Sequence, residues 1–171
     1  TSASFLQSGI CDVIGSTVTS LDISYPVSRW KEALSRSLNQ SSANSGLQLF
    51  ESCSVLRDLR AEGCRLSSIG ISSPNISRVN LNHNDFEYIS AISLVSTSQI
   101  ISLSVANNRL QEVPTDSFFG WKELQALNLL GNPLTNVQES FVCSLSNLRD
   151  LQLEFGPQMN HKVFLLRKDF F

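Results

Sequence analysis

The residue types that most often carry chemistry are present in this 171-residue chain, but their spacing does not assemble a reactive site. The four cysteines form no C-x-x-C pair and there are only two histidines, so the sequence predicts neither a zinc site nor a thioredoxin-like redox pair. The 29 serines include no G-x-S-x-G elbow, and no phosphate-binding or dinucleotide-binding glycine motif occurs. We therefore predict no metal, no cofactor and no enzymatic activity.

Composition narrows the class of protein further. Hydrophobic residues make up 42% of the chain, enough for the core of one domain, while charged residues make up only 16%. The formal net charge of −2 argues against a nucleic-acid partner, whose binding proteins usually carry a basic stripe. No run of residues approaches the roughly 20 apolar residues that span a bilayer, so no membrane insertion is predicted within this segment.

One hydrophobic pattern recurs through most of the chain. It reads L-x-x-L-x-L-x-x-N-x-L from Leu124 to Leu134, and the same spacing begins at residues 56, 76 and 100, with Cys64 in the asparagine position of the first of these. Weaker copies begin near residues 18 and 148. The L-x-L part alternates, which is typical of a short strand with one buried face. Each copy is too small to bury its apolar side alone, so neighbouring copies must stack.

The pattern resembles that of the leucine-rich repeat family, L-x-x-L-x-L-x-x-N/C-x-L, over about residues 18–156. The resemblance implies an α/β solenoid, a right-handed horseshoe segment with a short parallel sheet on its concave face and short helical, 3-10 or extended segments on its convex face. We expect parallel strands, in chain order, near residues 21–23, 58–62, 78–82, 102–106, 126–130 and 150–154. Family members mostly bind proteins or peptides, so the resemblance also implies such a partner.

The repeats organise the rest of the chain. Residues 1–17 are expected to cap the N-terminal end of the core, and a helix-and-loop insertion is expected at about residues 28–46. Residues 157–171 form either the end of the last repeat, in a chain that continues, or an irregular C-terminal cap. On the convex side, Phe118 and Trp121 of one repeat and Val142 and Leu145 of the next are predicted to pack into the core, and the 20-residue repeat that starts at residue 56 should have a short, extended convex arm.

The asparagine positions predict a buried polar ladder. Side chains there should form hydrogen bonds with backbone groups of their own repeat and of the next one, and a cysteine thiol can replace the amide as a weak donor. This structural role applies to Cys64, Asn84, Asn108 and Asn132. Burial of Cys64 argues against its use as a nucleophile with His83 as base, because that histidine belongs to the outer face of the adjacent repeat.

The residues between and just after the leucines should face outwards on the concave side. Adjacent strands bring equivalent positions together at about 4.8 Å, so Asp58 and Arg78 are predicted neighbours that could pair. Leu130 and Phe155 are candidate apolar anchors for a partner, unless Leu130 tucks towards a neighbour and Phe155 belongs to a cap. The candidate partner-binding residues are Arg57, Asp58, Arg60, Glu62, Arg78, Asn80, Asn82, His83, Asn107, Asn128, Leu130 and Phe155.

The sequence is compatible with two hypotheses about function. The chain is a non-catalytic interaction module, for which a receptor or adhesion ectodomain is one setting, or it is an architectural spacer or regulatory scaffold segment of a larger intracellular protein. The low lysine content and abundant serine favour an extracellular or cell-surface location over a cytoplasmic one. Asn39 and Asn75 begin N-x-S sequons and are candidate glycosylation sites, although about two or three are expected by chance in this composition. The sequence does not indicate the oligomeric state.

Overall fold

The computed structural model describes residues 17–24, 53–71, 73–94, 99–138 and 140–155, and the backbone of residues 163–167. The predicted insertion at residues 28–46 and nearly all of the predicted N-terminal cap lie outside these residues. The described strands are β1 (Ser20–Asp22), β2 (Asp58–Arg60), β3 (Ile69–Ile71), β4 (Arg78–Asn80), β5 (Ile92–Leu94), β6 (Ser102–Ser104), β7 (Glu112–Val113), β8 (Ala126–Asn128), β9 (Asn136–Val137), β10 (Asp150–Glu154) and β11 (Val163–Arg167). A 3-10 helix, η1 (Ile89–Ala91), and a one-turn α-helix, α1 (Ser140–Cys143), complete the described elements.

The main sheet follows the sequence repeat. Its strand order is β1-β2-β4-β6-β8-β10-β11, and the first six strands run parallel, which confirms the predicted solenoid and its strand order. The central residue of each strand pairs with the same repeat position in the next, so Leu59, Val79, Leu103 and Leu127 form one buried row. Burial of one side of this sheet in the core leaves the opposite residues of each strand on the concave face.

The last strand was not expected. β11 pairs antiparallel with β10, with Leu151 opposite Leu166 and Glu154 opposite Val163, where either the end of the last repeat or an irregular cap was predicted. An edge strand exposes unpaired backbone donors and acceptors, and an antiparallel return of the chain satisfies them over the five residues of β10. Regular pairing therefore covers the outer edge of the last parallel strand.

The convex side is built from short, varied pieces. β3 pairs with β5 and β7 pairs with β9 in two small parallel sheets. The repeat that starts at residue 56 crosses this side through extended β3, as predicted for its shorter length. Its buried Ser73 hydroxyl donates to the backbone oxygens of Cys53 (2.8 Å) and Leu56 (3.2 Å), so a side chain satisfies backbone groups that a helix would otherwise pair.

Aromatic rings fill the core behind β6 and β8. Phe118 contacts Trp121 edge to face, with 5.6 Å between ring centroids, and lies 5.8 Å from Phe141. All three rings are buried. Val142, which the spacing predicted as a core residue, is half-buried and packs against the core, while Phe141, which the spacing did not single out, is fully buried. Phe141 in α1 and Leu145, two residues after the helix ends, are four residues apart and are both buried in the core.

A column of left-handed backbone conformations runs beside the sheet, just before each asparagine or cysteine of the ladder. Its members are Gly63 (φ 65°), His83 (55°), Asn107 (55°) and Gly131 (66°). Glycine adopts this conformation freely, and asparagine and histidine are among the side chains that tolerate it best. This column was not predicted. The sequence signal for it was the presence of two glycines and an asparagine at one repeat position.

We expect Gly131→Ala to lower the free energy of unfolding by about 2 kcal/mol, from left-handed strain and a steric clash. A Cβ atom at this position would lie 2.2 Å from Oδ1 of Asn107. Urea denaturation of Gly131→Ala, of Asn107→Gly and of the double variant forms a cycle that isolates the clash. Asn107→Gly should relieve part of the cost, and strict additivity of the two changes would contradict the proposed contact.

Candidate partner-binding face

The concave face consists of the outward residues of β1, β2, β4, β6, β8 and β10 and of the residues that follow each strand. A cavity of about 380 Å³ opens on this face across four neighbouring strands. Its lining is mostly polar: Ser20, Asp58, Leu59, Arg60, Arg78, Val79, Asn80, Ser102 and Ser104. Because these positions recur in adjacent repeats, the solenoid itself brings the predicted residues of β2 and β4 into one depression.

An ion pair crosses the floor of this cavity. Nε of Arg78 contacts one carboxylate oxygen of Asp58, and its Nη2 donates to the other at 3.2 Å, so the pair is bidentate. The carboxylate raises the pKa of Arg78, mainly through these hydrogen bonds. The lateral pairing predicted from the repeat is thus observed. Since Arg78 is mostly exposed, the pair contributes only about 0–1 kcal/mol to stability and serves mainly to orient the two side chains.

Asparagines give the face a fixed arrangement of polar groups. Oδ1 of Asn80 accepts the backbone N–H of Asn82 at 3.0 Å, and Oδ1 of Asn128 accepts that of Leu130 at the same distance. Oδ1 of Asn82 accepts the hydroxyl of Ser104 (2.7 Å) and the N–H of Ala106 (2.8 Å). Among the described residues no acceptor bonds Nδ2 of Asn80, Asn82 or Asn128. These amide donors are therefore held in place and remain available to a partner.

The guanidinium groups at the cavity's edge add further donors. Within the described part of the chain, neither Arg57 nor Arg60 forms a side-chain hydrogen bond. Arg60 lies in the field of Asp22, and the Ser24 hydroxyl and backbone N–H, with a smaller contribution from Arg60, lower the pKa of that carboxyl. The carboxylates of Asp22, Asp58 and Glu62 match the three arginines in number, so this end of the face is richly charged without an excess of either sign.

His83 belongs both to the concave face and to the column of left-handed backbone conformations. Its Nε2 lies 3.7 Å from Oε1 of Glu62 and 3.4 Å from Nδ2 of Asn107. The carboxylate of the preceding repeat therefore lies beside this histidine. Nε2 of His83 can accept from the Asn107 amide in the tautomer that carries its proton on Nδ1, so the ring lies between a carboxylate and an amide of the two neighbouring repeats.

The predicted apolar patch at the other end of the face is smaller than expected. Ala106 is buried, Leu130 is half-buried, and Phe155 packs against the hydrophobic core. The backbone of Phe155 also forms a parallel bridge with Leu134, which ties this residue to the preceding repeat. In the last repeat Gly156 replaces the ladder asparagine, so the sequence there departs from the pattern that fixed the prediction.

The predicted ladder is present and lies behind the concave face. Oδ1 of Asn84 accepts the N–H groups of Cys64 and Leu66, both at 3.0 Å, and its Nδ2 donates to the oxygens of Ala61 (2.8 Å) and Leu81 (2.9 Å). Asn108 and Asn132 repeat this arrangement. One expectation was wrong. Each asparagine forms hydrogen bonds with backbone groups of its own repeat and of the preceding repeat, not of the next one, because the chain turns towards the preceding repeat at this position.

The three described cysteines differ in burial and in bonding. Buried Cys64 occupies the ladder position, where its Sγ donates to the backbone oxygen of Ile23 at 3.3 Å. Cys53 is disulfide-bonded and buried, while Cys143 is free and exposed. No group of three or more metal-binding side chains occurs within the described residues. Asn75 is exposed and its amide donates to the oxygen of Ser54, whereas Asn39 lies outside the described residues.

Comparison with known families agrees with this architecture. A family model described as leucine rich repeat matches residues 98–155, which include β6, β8 and β10. This match and the stacked parallel strands support a leucine-rich repeat solenoid, a family whose members are generally non-catalytic interaction modules. None of the curated proteins matches the chain significantly. No helix in the described residues is long and apolar enough to cross a membrane.

Proposed function

We propose that this protein is a non-catalytic interaction module that binds a protein or peptide segment on the concave face. The observation that carries the proposal is the cavity over β1, β2, β4 and β6, flanked by hydrogen-bond donors without described acceptors. Arg57, Arg60 and the amide groups of Asn80, Asn82 and Asn128 project from one rigid sheet. The asparagine amides are held by their own hydrogen bonds, so these donors lose little conformational freedom when a partner binds.

The chemistry of the face indicates what kind of segment it would hold. Guanidinium and amide donors recognise carboxylates and backbone carbonyl oxygens, which an extended peptide presents at regular intervals. Arginine is also enriched among residues that dominate interface energy. We therefore infer a partner segment that is extended and carries at least one carboxylate, with its main-chain oxygens over the asparagine row.

A selection from random linear peptides displayed on phage tests this proposal. Peptides enriched on the intact protein should bind Arg57→Ala/Arg60→Ala at least about tenfold more weakly, a loss of about 1.4 kcal/mol. The side chains of these arginines make no described hydrogen bond, so the variant should fold normally. Phe119→Ala/Lys122→Ala, on the convex side, is the matched control and should bind as the wild type does.

The same selection separates the competing readings. If binding persists in the concave variant and disappears on deletion of residues 40–45, the predicted insertion loop is the binding site and the concave assignment is wrong. If no peptide is enriched and substitution of the concave residues has no effect on binding, the hypothesis of an architectural spacer or scaffold segment is supported instead.

We further propose an extracellular or cell-surface location, such as a receptor or adhesion ectodomain, over a cytoplasmic one. The disulfide at Cys53 supports this proposal, since disulfides persist in oxidising compartments and are rare in the cytosol. Exposed Asn75 would then be a candidate for glycosylation.

Thiol reactivity should differ sharply among the three described cysteines. In the native protein we expect an alkylating reagent to label Cys143, which is exposed, and to label Cys64 only after denaturation, because its side chain is buried. Cys53 should resist labelling until the protein is also reduced. Peptide mass spectrometry after each step gives the measurement, and labelling of Cys53 before reduction would remove the support for an oxidising compartment.

A further inference from the structure

We propose a second interaction surface on the convex side, a cleft between η1 and β7 that binds an extended peptide strand carrying a lysine or arginine. The cleft has a volume of about 350 Å³, and its lining includes Tyr88, Ser90, Glu112, Pro114 and Asp116. It involves no residue of the concave face, so this inference is independent of the function proposed above.

A break in the convex hydrogen bonding opens the cleft. Between the repeats that start at residues 100 and 124, the oxygen of Gln111 accepts the N–H groups of Thr135 (2.8 Å) and Asn136 (3.2 Å), and that of Val113 accepts the N–H of Gln138 (3.2 Å). No described backbone hydrogen bond joins residues 87–90 to residues 111–114. Pro114 occupies the same repeat position as Gln138, one repeat earlier. Because proline has no backbone N–H, the corresponding hydrogen bond cannot form there.

The segment on the other side of the cleft, which contains η1, also forms no strand that could pair with β7. In the repeat that starts at residue 76, the chain enters 3-10 helix η1 at Ile89, where the next two repeats have β7 and β9. Among the described strands, β7 therefore has a partner on one side only. In a trans peptide the C=O and the following N–H point in opposite directions, so the Gln111 C=O that faces β9 leaves the Glu112 N–H directed towards the cleft.

The side chains around this edge favour a cationic residue. Tyr88 is 56% exposed although it lies beside the buried Ile89, and its ring offers a face for a cation. Glu112 and Asp116 are exposed, and no described lysine, arginine or histidine pairs with either carboxylate. An open strand edge, an exposed ring and two carboxylates without counter-ions together fit one occupant: an extended segment whose carbonyl accepts from the Glu112 N–H and whose basic side chain reaches Tyr88 and the carboxylates.

Two synthetic peptides test the proposal on the full 171-residue chain. The probes are acetyl-Val-Arg-Val-Arg-Val-amide and the same peptide with glutamate in place of arginine, titrated into ¹⁵N-labelled protein and followed by NMR. The arginine peptide should shift the amide signals of Ser90, Glu112 and Asp116 and slow hydrogen exchange at the Glu112 N–H. The glutamate peptide should bind at least about tenfold more weakly, a difference of about 1.4 kcal/mol.

Variants assign the effect to the cleft. Glu112→Gln/Asp116→Asn should weaken the arginine peptide at least about tenfold, whereas Glu123→Gln, an exposed carboxylate outside the cleft, should not. Tyr88→Ala should weaken binding and Tyr88→Phe should retain it, since a cation requires the ring and not the hydroxyl. Arg57→Ala/Arg60→Ala should bind the arginine peptide normally, which separates this surface from the concave one.

Three results would overturn the inference. Equal binding of the two peptides would remove the basis for a basic partner, and shifts confined to concave-face amides would place the peptide elsewhere. If sedimentation of the free protein shows a dimer that Tyr88→Ala disrupts, a second copy of the chain occupies the cleft. Melting curves that match the wild type confirm that each variant is folded.

Discussion

Phe118→Ala should lower the free energy of unfolding by about 3–5 kcal/mol. The Phe118 ring is fully buried and contacts two other aromatic rings, an edge-to-face neighbour at Trp121 and a tilted one at Phe141. Its removal loses the transfer free energy of the ring, leaves a cavity that rigid neighbours cannot fill, and breaks both aromatic contacts. Urea denaturation followed by circular dichroism measures the change.

The adjacent residue gives a matched control. Phe119 follows Phe118 directly but is 84% exposed, so Phe119→Ala should change the free energy of unfolding by under about 0.5 kcal/mol. The two substitutions remove the same side chain from the same turn and differ only in burial. A similar loss from both would mean that the turn between Pro114 and Gly120 is oriented differently and that Phe119 supports the core.

The sequence predicts the repeating part of this fold well because one physical requirement recurs at fixed spacing. Each L-x-L segment must bury one side against its neighbours, and this requirement determines the order and parallel direction of β2, β4, β6, β8 and β10. It also predicts which side chains lie next to each other, so the pairing of Asp58 with Arg78 follows from the alignment of the repeats alone.

Prediction fails where repeats differ from one another. The spacing alone could not decide between Phe141 and Val142, because the convex residues form a short helix in one repeat and extended strands in others. Phe155 was assigned to the concave face by position, yet the last repeat has no ladder asparagine to turn the chain there. The cleft beside β7 depends on a single proline and a 3-10 turn, and both are visible only when each repeat is compared with its own neighbour.

The direction of the ladder was misjudged for a related reason. A motif shows that a buried amide is required, but not which backbone groups remain unpaired beside it. In the structure, Asn132 donates to Val105 at 3.0 Å and accepts from Leu110 at 3.1 Å, both in the preceding repeat. Its bond to Leu129 at 2.8 Å lies within its own repeat. Each asparagine thus couples two neighbouring repeats, and stability in a solenoid depends largely on such nearest-neighbour interfaces.

Asn132→Ala should therefore lower the free energy of unfolding by about 3 kcal/mol, because it orphans the Leu110 N–H and the Leu129 oxygen in a buried site, at about 1–3 kcal/mol each, and leaves the Val105 oxygen with Asn108 as its side-chain donor. Asn136→Ala, four residues away and exposed, is the control and should cost under about 0.5 kcal/mol. Asn107 is unsuitable as a control, since its φ of 55° adds backbone strain to any alanine there. Asn132→Asp keeps the acceptor but loses the donors and buries a charge, so it should fold less stably as pH rises above the carboxyl's pKa. Equal urea midpoints for Asn132→Ala and Asn136→Ala would show that water replaces the amide and that the ladder does not couple the repeats.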